Sequence, residues 1–86
     1  MRVDLLVVAR MLDALHEEER MKKTRLQLYS RLNYPAFKRY LNWLVDRKLV
    51  RIVKEKDGEY VELTEDGRES YDRLVEWVKR YVSERL

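Results

Sequence analysis

Apolar residues recur along the chain with helical spacing in four segments and with alternate spacing in one. The first segment, from Val3 to about His16, is apolar on more than one helical face, which is typical of a helix buried on several sides. The stretch "HEEERMKKT" that follows is predicted to be a polar loop. Thr24 then caps a short second helix that runs to about Arg31, with an apolar set at Leu26, Leu28, Tyr29 and Leu32.

The chain's only proline marks the start of a third helix. Tyr34 precedes Pro35 and is therefore pushed away from α-helical backbone angles, whereas Pro35 itself fits the first turn of a helix. Asn33 is a favoured N-cap residue at this place. We predict a break here and a third helix from about Tyr34 to Lys48. At 100° per residue, Phe37, Leu41 and Leu44 share its inward face, flanked by Tyr40 and Val45, and the opposite face carries Pro35, Lys38, Arg39, Asn42, Trp43 and Asp46.

The stretch "VRIVKEKDGEYVELT" alternates between apolar and polar residues around Asp57-Gly58. Because glycine tolerates the positive φ that tight hairpin turns need, the pattern predicts two short strands within residues 49–63. The predicted inward positions are Val50, Ile52 and Val53 on one strand, and Tyr60 or Val61 with Leu63 on the other. Thr64, followed by two acidic residues, starts a last helix that extends to about Leu86.

The predicted order is helix, helix, turn, helix, hairpin, helix. Helices two and three form a helix-turn-helix, and the hairpin after them makes it a winged helix, an α+β fold that is mostly α. We expect one domain over residues 1–86. Its last helix would be about 33 Å long, so its apolar stripe is predicted to pair with a second subunit in a coiled coil. The predicted dimer residues are Leu5, Val8, Leu12, Tyr71, Leu74, Val75, Val78, Tyr81 and Val82.

Charge is segregated along the chain, although the formal net charge is only +3. Residues 20–48 contain nine basic residues against Asp46 alone, a net of +8, so the remainder of the chain carries a net of −5. Such segregation on a small domain favours a surface that faces a polyanion, although a solvated lysine-rich surface is the alternative. Charged residues make up 41% of the chain, a composition that proteins of hyperthermophiles tend to show.

Four short motifs fall within residues 22–70: Thr24-Arg25, Leu32-Asn33-Tyr34, Arg39-Tyr40-Leu41 with Leu44, and Leu63-Thr64 with Gly67. In this order and spacing the sequence resembles the archaeal winged-helix transcriptional regulators and the related ten-kilodalton dimeric archaeal chromatin protein. It departs from their pattern at Lys48, where the family usually has glycine at the end of the helix. The resemblance implies that residues 64–86 form an antiparallel coiled coil with a second subunit.

The third helix has the side chains that a DNA recognition helix needs. Its N-terminus offers N–H groups to phosphate, and arginine and asparagine are suited to guanine and adenine. We therefore predict recognition-helix contacts from Tyr34, Pro35, Lys38, Arg39, Asn42 and Trp43, and backbone contacts from Lys22, Lys23, Thr24, Arg25, Arg31, Lys54 and Lys56. Tyr34 and Tyr40 could instead be packing residues, and Trp43 could equally serve rim packing or a dimer contact. The net charge of −1 over residues 49–63 predicts a minor contribution from the hairpin.

Other classes of function find little support in the composition. The chain has no cysteine, no glycine-rich phosphate loop and one histidine, so we expect no enzyme activity, metal site or cofactor. The apolar start is broken by Asp4 and Arg10, so it is not predicted to cross a membrane. We expect a cytoplasmic, nucleoid-associated homodimer that binds double-stranded DNA as a transcriptional regulator. The alternatives are a protein-interaction module with the same fold and an architectural chromatin protein that binds DNA nonspecifically.

Overall fold

The computed structural model describes residues 2–81 of the chain. The elements are α1 (Leu5–Glu18), β1 (Arg20–Lys22), α2 (Lys23–Ser30), α3 (Tyr34–Asp46), β2 (Val50–Glu55), β3 (Gly58–Leu63) and α4 (Glu65–Tyr81). The fold consists of four helices and a small three-stranded antiparallel sheet with strand order β1-β3-β2. The predicted winged-helix fold, mostly helical, is confirmed.

One apolar core joins the three N-terminal helices to the inner face of the sheet. Its fully buried side chains include Met11, Leu15, Leu26, Phe37, Leu44, Val61 and Leu63. Val8 and Leu12 of α1 also belong to this core, with 6% and 3% of their surface exposed. The apolar breadth of α1 is therefore explained largely by packing within the chain.

α3 begins where the proline and asparagine predict. The Asn33 side chain accepts a hydrogen bond from the backbone N–H of Ala36 at 2.9 Å, and Pro35 occupies the first turn. This cap satisfies one of the N–H groups that a helix start leaves without a partner. The helix then buries Phe37, Tyr40, Leu41 and Leu44 against the core, which leaves its opposite face to solvent.

Three sequence predictions for the region before α3 are wrong. The predicted loop contains β1, whose residues Arg20 to Lys22 pair with Glu62 to Tyr60 of β3. α2 begins at Lys23 rather than after Thr24, and its N-cap, Lys22, makes no side-chain capping bond. Only Leu26 of the predicted apolar set is buried; Leu28 is 79% exposed, because α2 turns it away from the core.

The hairpin forms where predicted, and Gly58 has a φ of +137°. Glu55 pairs with Gly58, so the connecting turn consists of residues 56 and 57. Val50, Val61 and Leu63 are buried, as the alternation predicts. Ile52 lies opposite Val61 but keeps 37% of its surface exposed, so the inner face is covered less completely along β2.

Lys48, the departure from the family pattern, takes the backbone conformation that glycine usually supplies. Its φ is +59°, and α3 ends at Asp46, two residues earlier than predicted. The N–H of Lys48 donates to the carbonyl of Val45 at 2.9 Å, and that of Leu49 donates to the carbonyl of Leu44 at 3.0 Å. These two bonds form a Schellman motif with lysine in the left-handed position.

Thr64 and Gly67 hold the start of α4 against the residues that follow α3. The Thr64 hydroxyl donates to the carbonyl of Lys48 at 2.5 Å and accepts from the N–H of Gly67 at 3.0 Å. The N–H of Thr64 also donates to the carbonyl of Leu49 at 3.0 Å. A Cβ atom on Gly67 would lie 2.0 Å from the Leu49 oxygen, so the close approach of α4 requires glycine here.

Candidate nucleic-acid interface

The outward face of α3 is a solvated polar surface without internal partners. Lys38, Arg39 and Asn42 are exposed, and none of their side chains makes an ion pair or hydrogen bond within residues 2–81. Tyr34 and Pro35 are also exposed. The structure therefore brings five of the six predicted recognition residues to one open surface.

Trp43, the sixth, lies at the edge of this surface rather than on it. Its side chain is partly buried and packs against the core. The guanidinium of Arg47 lies 3.9 Å from the Trp43 ring centroid, a cation–π arrangement. One face of the indole is thus covered by Arg47, and Trp43 supports the end of α3 by packing.

The two tyrosines of α3 differ in environment. Tyr40 is buried, and its hydroxyl accepts a hydrogen bond from the backbone N–H of Asp4 at 2.9 Å. It therefore ties α3 to the start of α1, as a packing residue with a polar tip. Tyr34 is about half exposed at the first position of α3 and remains accessible to a partner.

Three of the basic residues predicted to contact a phosphate backbone already have acidic partners. Lys22 lies 3.4 Å from Asp57, Lys23 lies 3.2 Å from Glu59, and Arg25 lies 3.0 Å from Glu18. Thr24 and Arg31 are exposed, and Arg31 makes no ion pair among the described residues. The predicted backbone set therefore divides into paired and unpaired cations.

Lys54 and Lys56 of the wing, the hairpin formed by β2 and β3, are also exposed and unpaired within the described part of the chain. The carboxylates beside them are engaged. The Tyr60 hydroxyl donates to Asp57 at 2.8 Å and, with a smaller effect from Lys22, lowers the pKa of the Asp57 carboxyl. Asp57 thus stays charged at the wing tip, between the two lysines and β1.

The predicted dimer residues fall into two groups. Leu5 and Leu74 are exposed and Val75 is half-buried, whereas Val8 and Leu12 lie in the chain's own core and have little surface left for a second subunit. Val78 and the neighbouring Trp77 add exposed apolar surface, with Trp77 57% exposed. Val82 and the Tyr81 side chain lie outside the described part of the structure.

An apolar groove runs between α1 and α4 beside these residues. It has a volume of 580 Å³ and is lined by Leu6, Ala9, Arg10, Asp13, Tyr71, Leu74, Val75 and Val78. Tyr71 donates a 2.6 Å hydrogen bond to Asp13, and its ring stacks on His16 with centroids 4.4 Å apart. The bond to Asp13, with partial burial, raises the pKa of Tyr71 to about 12. Tyr71 therefore holds α4 against α1 and supports the groove.

Among the residues that the structure describes, no group of acidic or histidine side chains has the arrangement of a metal site. No helix within residues 2–81 is both long enough and apolar enough to cross a membrane.

A comparison with protein families matches residues 2–81 to the winged helix-turn-helix family. The chain belongs to this family. A comparison with curated proteins found no match. Several solved structures share the winged helix-turn-helix fold. A winged-helix DNA-binding protein from STIV superposes with a TM-score of 0.83 at 23% identity, covering 94% of this chain and 96% of that one.

Two further solved structures are similar at slightly higher identity. Sso10a-2, a DNA-binding protein from Sulfolobus solfataricus, has a TM-score of 0.74 at 26% identity, covering 91% of this chain and 80% of its own. A MarR family transcriptional regulator from Silicibacter pomeroyi has a TM-score of 0.75 at 27% identity. This match covers 91% of the present chain and 57% of the regulator, so the chain spans little more than half of that protein.

The sequence predicted most of the basic residues of this surface but not the acidic residues that pair with them. Arg20 pairs with Glu55 at 2.8 Å and lies over the Tyr60 ring at 4.4 Å, and neither Arg20 nor Glu55 was a predicted site residue. The sequence signal available was a basic cluster at Arg20, Lys22 and Lys23 that matches the number of alternating acidic residues at 55–59. Without β1 in the prediction, nothing placed these two segments side by side.

Proposed function

We propose that this winged helix-turn-helix chain is a transcriptional regulator that binds duplex DNA as a homodimer, with α3 in the major groove. The observation that carries the proposal is the outward face of α3. It presents Lys38, Arg39 and Asn42 with no internal partner among the described residues, on a helix of 13 residues. The DNA-binding proteins similar in fold support the same reading.

The chemistry of this face fits base and phosphate contacts. An arginine can donate two hydrogen bonds to guanine, and an asparagine can bond adenine in the same bidentate way. Lys38 and the N-terminal N–H groups of α3 suit phosphate oxygens. Arg39 and Asn42 lie three residues apart and therefore share one stripe of the helix, so they would meet successive base edges.

The dimer in this proposal uses α4 and the exposed apolar residues beside it. Leu5, Leu6, Leu74, Trp77 and Val78 are all exposed large apolar side chains. Of these, Leu6, Leu74 and Val78 line the groove between α1 and α4, and contiguous exposed apolar surface is typical of an interaction site. A second copy that packs its own α4 along the groove would cover this surface and place two α3 helices for neighbouring half-sites.

The dimer is tested by replacing Leu74 and Val78 with glutamate and measuring the mass in solution. We expect a monomer, because two charges would be buried in the seam. The matched control places glutamine at Arg68 and Arg73, which are exposed on the same helix. A double glutamate variant that keeps the mass of a dimer would contradict the α4 interface.

DNA binding is tested by titrating a duplex of random sequence over a range of salt concentrations. Several phosphate contacts predict a loss of affinity on the order of 10³-fold between ~50 and ~200 mM salt. Selection of a binding site from random duplexes then separates regulation from architecture, since a regulator enriches a defined sequence and an architectural protein does not. No measurable duplex binding at ~50 mM salt would refute the proposed function.

A further inference from the structure

The tip of the wing lies against the row of basic residues that leads into α2. Glu55, Asp57 and Glu59 alternate around the turn, and each has one basic partner. The distances from these carboxylates to Arg20, Lys22 and Lys23 are 2.8, 3.4 and 3.2 Å. The contact is therefore a matched row of three ion pairs between segments that are more than thirty residues apart in sequence.

The sheet holds the two rows in register. β1 pairs with β3 so that Lys22 lies opposite Tyr60, and the Tyr60 hydroxyl fixes Asp57 at 2.8 Å. The Tyr60 ring in turn supports the Arg20 guanidinium at 4.4 Å. Backbone pairing and Tyr60 thus position both partners before any ligand arrives, which reduces the entropy lost on forming the pairs.

Outside this row, Arg25 pairs with Glu18 and Arg51 with Glu62, whereas five other cations have no acidic partner within residues 2–81. Arg31, Lys38 and Arg39 lie on or beside α3, and Lys54 and Lys56 lie on the wing; all five are exposed. A carboxylate beside a cation neutralises the charge that a phosphate would meet. The chain's basic residues therefore form two sets that differ in how much charge they offer to DNA.

We propose that the wing carboxylates bind Lys22 and Lys23 in place of DNA phosphates. This pairing limits the affinity of the chain for any duplex. This inference rests on the proposed DNA-binding function and adds to it a control on nonspecific binding. Binding then depends on the α3 face, where sequence is read, rather than on the start of α2, where only the backbone is gripped.

An exposed ion pair changes the equilibrium constant of the state that it stabilises by at most a few-fold. A phosphate can therefore replace the carboxylate, but the competition still lowers the affinity for DNA. Removing the carboxylates that pair with Lys22 and Lys23 is expected to raise duplex affinity about three- to tenfold per protomer. It should also steepen the dependence of log affinity on log salt by about 0.9 for each released cation.

The test uses the full chain with Asp57→Asn and Glu59→Gln, two changes that keep the side-chain shapes. The amide oxygen introduced by Asp57→Asn can still accept the Tyr60 hydrogen bond, so we expect the melting temperature to stay close to wild type. The control carries Glu69→Gln and Glu76→Gln, which change the net charge equally at exposed positions of α4. A third protein adds Lys22→Ala and Lys23→Ala to the wing variant, and it should lose the gain.

The salt titration of these proteins has four possible outcomes, and each supports or contradicts the inference. Tighter, steeper binding by the wing variant alone, reversed by the two alanines, supports the inference. If wild type binds the duplex and the wing variant binds with the same affinity and slope, the inference fails and the proposed function stands. An equal gain in the α4 control would assign the effect to net charge and also overturn it. If no protein binds the duplex, the proposed function and the inference fall together.

Discussion

Gly67 is the position where one added methyl group should test the packing of α4 against Leu49, in the connection between α3 and β2. An alanine Cβ would lie 2.0 Å from the Leu49 carbonyl oxygen and 3.0 Å from its carbon, whereas ordinary contact begins near 3.4 Å. The two backbones would have to separate by about 1.4 Å to accept it. An exposed helical glycine behaves differently, since replacement by alanine is stabilising there by roughly 0.5–1 kcal/mol.

A movement of this size would break the hydrogen bonds that Thr64 makes across the junction. Two bonds cross it, to the carbonyls of Lys48 and Leu49, whereas the bond from Gly67 lies within the first turn of α4 and would move with that helix. At about 1 kcal/mol each, and after subtracting the helical gain of alanine of about 0.5–1 kcal/mol, the net loss is about 1–1.5 kcal/mol. A domain of this size is stable by roughly 4–13 kcal/mol, so Gly67→Ala should remove a measurable part of the total.

The assay is thermal and urea unfolding of Gly67→Ala beside a Glu69→Ala control. A loss of about 1–1.5 kcal/mol should lower Tm by roughly 4–12 °C. Glu69 is exposed on the same helix, so its replacement should change the free energy of unfolding by no more than about 0.5 kcal/mol. A Gly67→Ala protein with wild-type or raised Tm would refute the close approach of α4 to Leu49.

Three further changes test other parts of the fold. Lys48→Gly should stabilise the chain by about 0.5 kcal/mol, because relief of left-handed strain exceeds the entropy cost of glycine; unchanged urea unfolding would contradict the helix exit described above. Asn33→Ala should lose about 1 kcal/mol with the cap of α3, measured in the same way. The pKa of Tyr71 is raised from 10.0 to about 12 by its bond to Asp13, so that bond adds stability below pH 10 that disappears as the pH rises to 12. As the pH rises from 10 to 12, the free energy of unfolding of Tyr71→Phe should therefore fall by less than that of wild type. Equal decreases in the two proteins would contradict the bond.

Local chemistry was enough to predict the centre of the fold. Asn33, Tyr34 and Pro35 each restrict the backbone in a way that depends only on their own structure, and α3 starts where they indicate. The Asp57-Gly58 pair located the hairpin for the same reason. Thr64 likewise caps α4, as predicted, through its bond to Gly67.

The parts that were missed depend on contacts between distant segments. β1 has three residues and one buried side chain, Met21, which is too little alternation to predict a strand; its pairing with β3 decides its conformation. Leu28 has the spacing of a core residue but lies on the open side of α2. Asp57 and Glu59 are brought to Lys22 and Lys23 by the pairing of β1 with β3, which the sequence did not predict.

The central claim is that the outward face of α3 contacts DNA, and one matched comparison tests it most directly. Arg39 and Arg68 are both exposed helical arginines without an ion pair among the described residues, and alanine at either removes one positive charge. Duplex affinity is measured for both variants at equal salt. The account predicts that Arg39→Ala weakens binding about tenfold or more, while Arg68→Ala changes it little. Equal affinities for the two variants would contradict the claim.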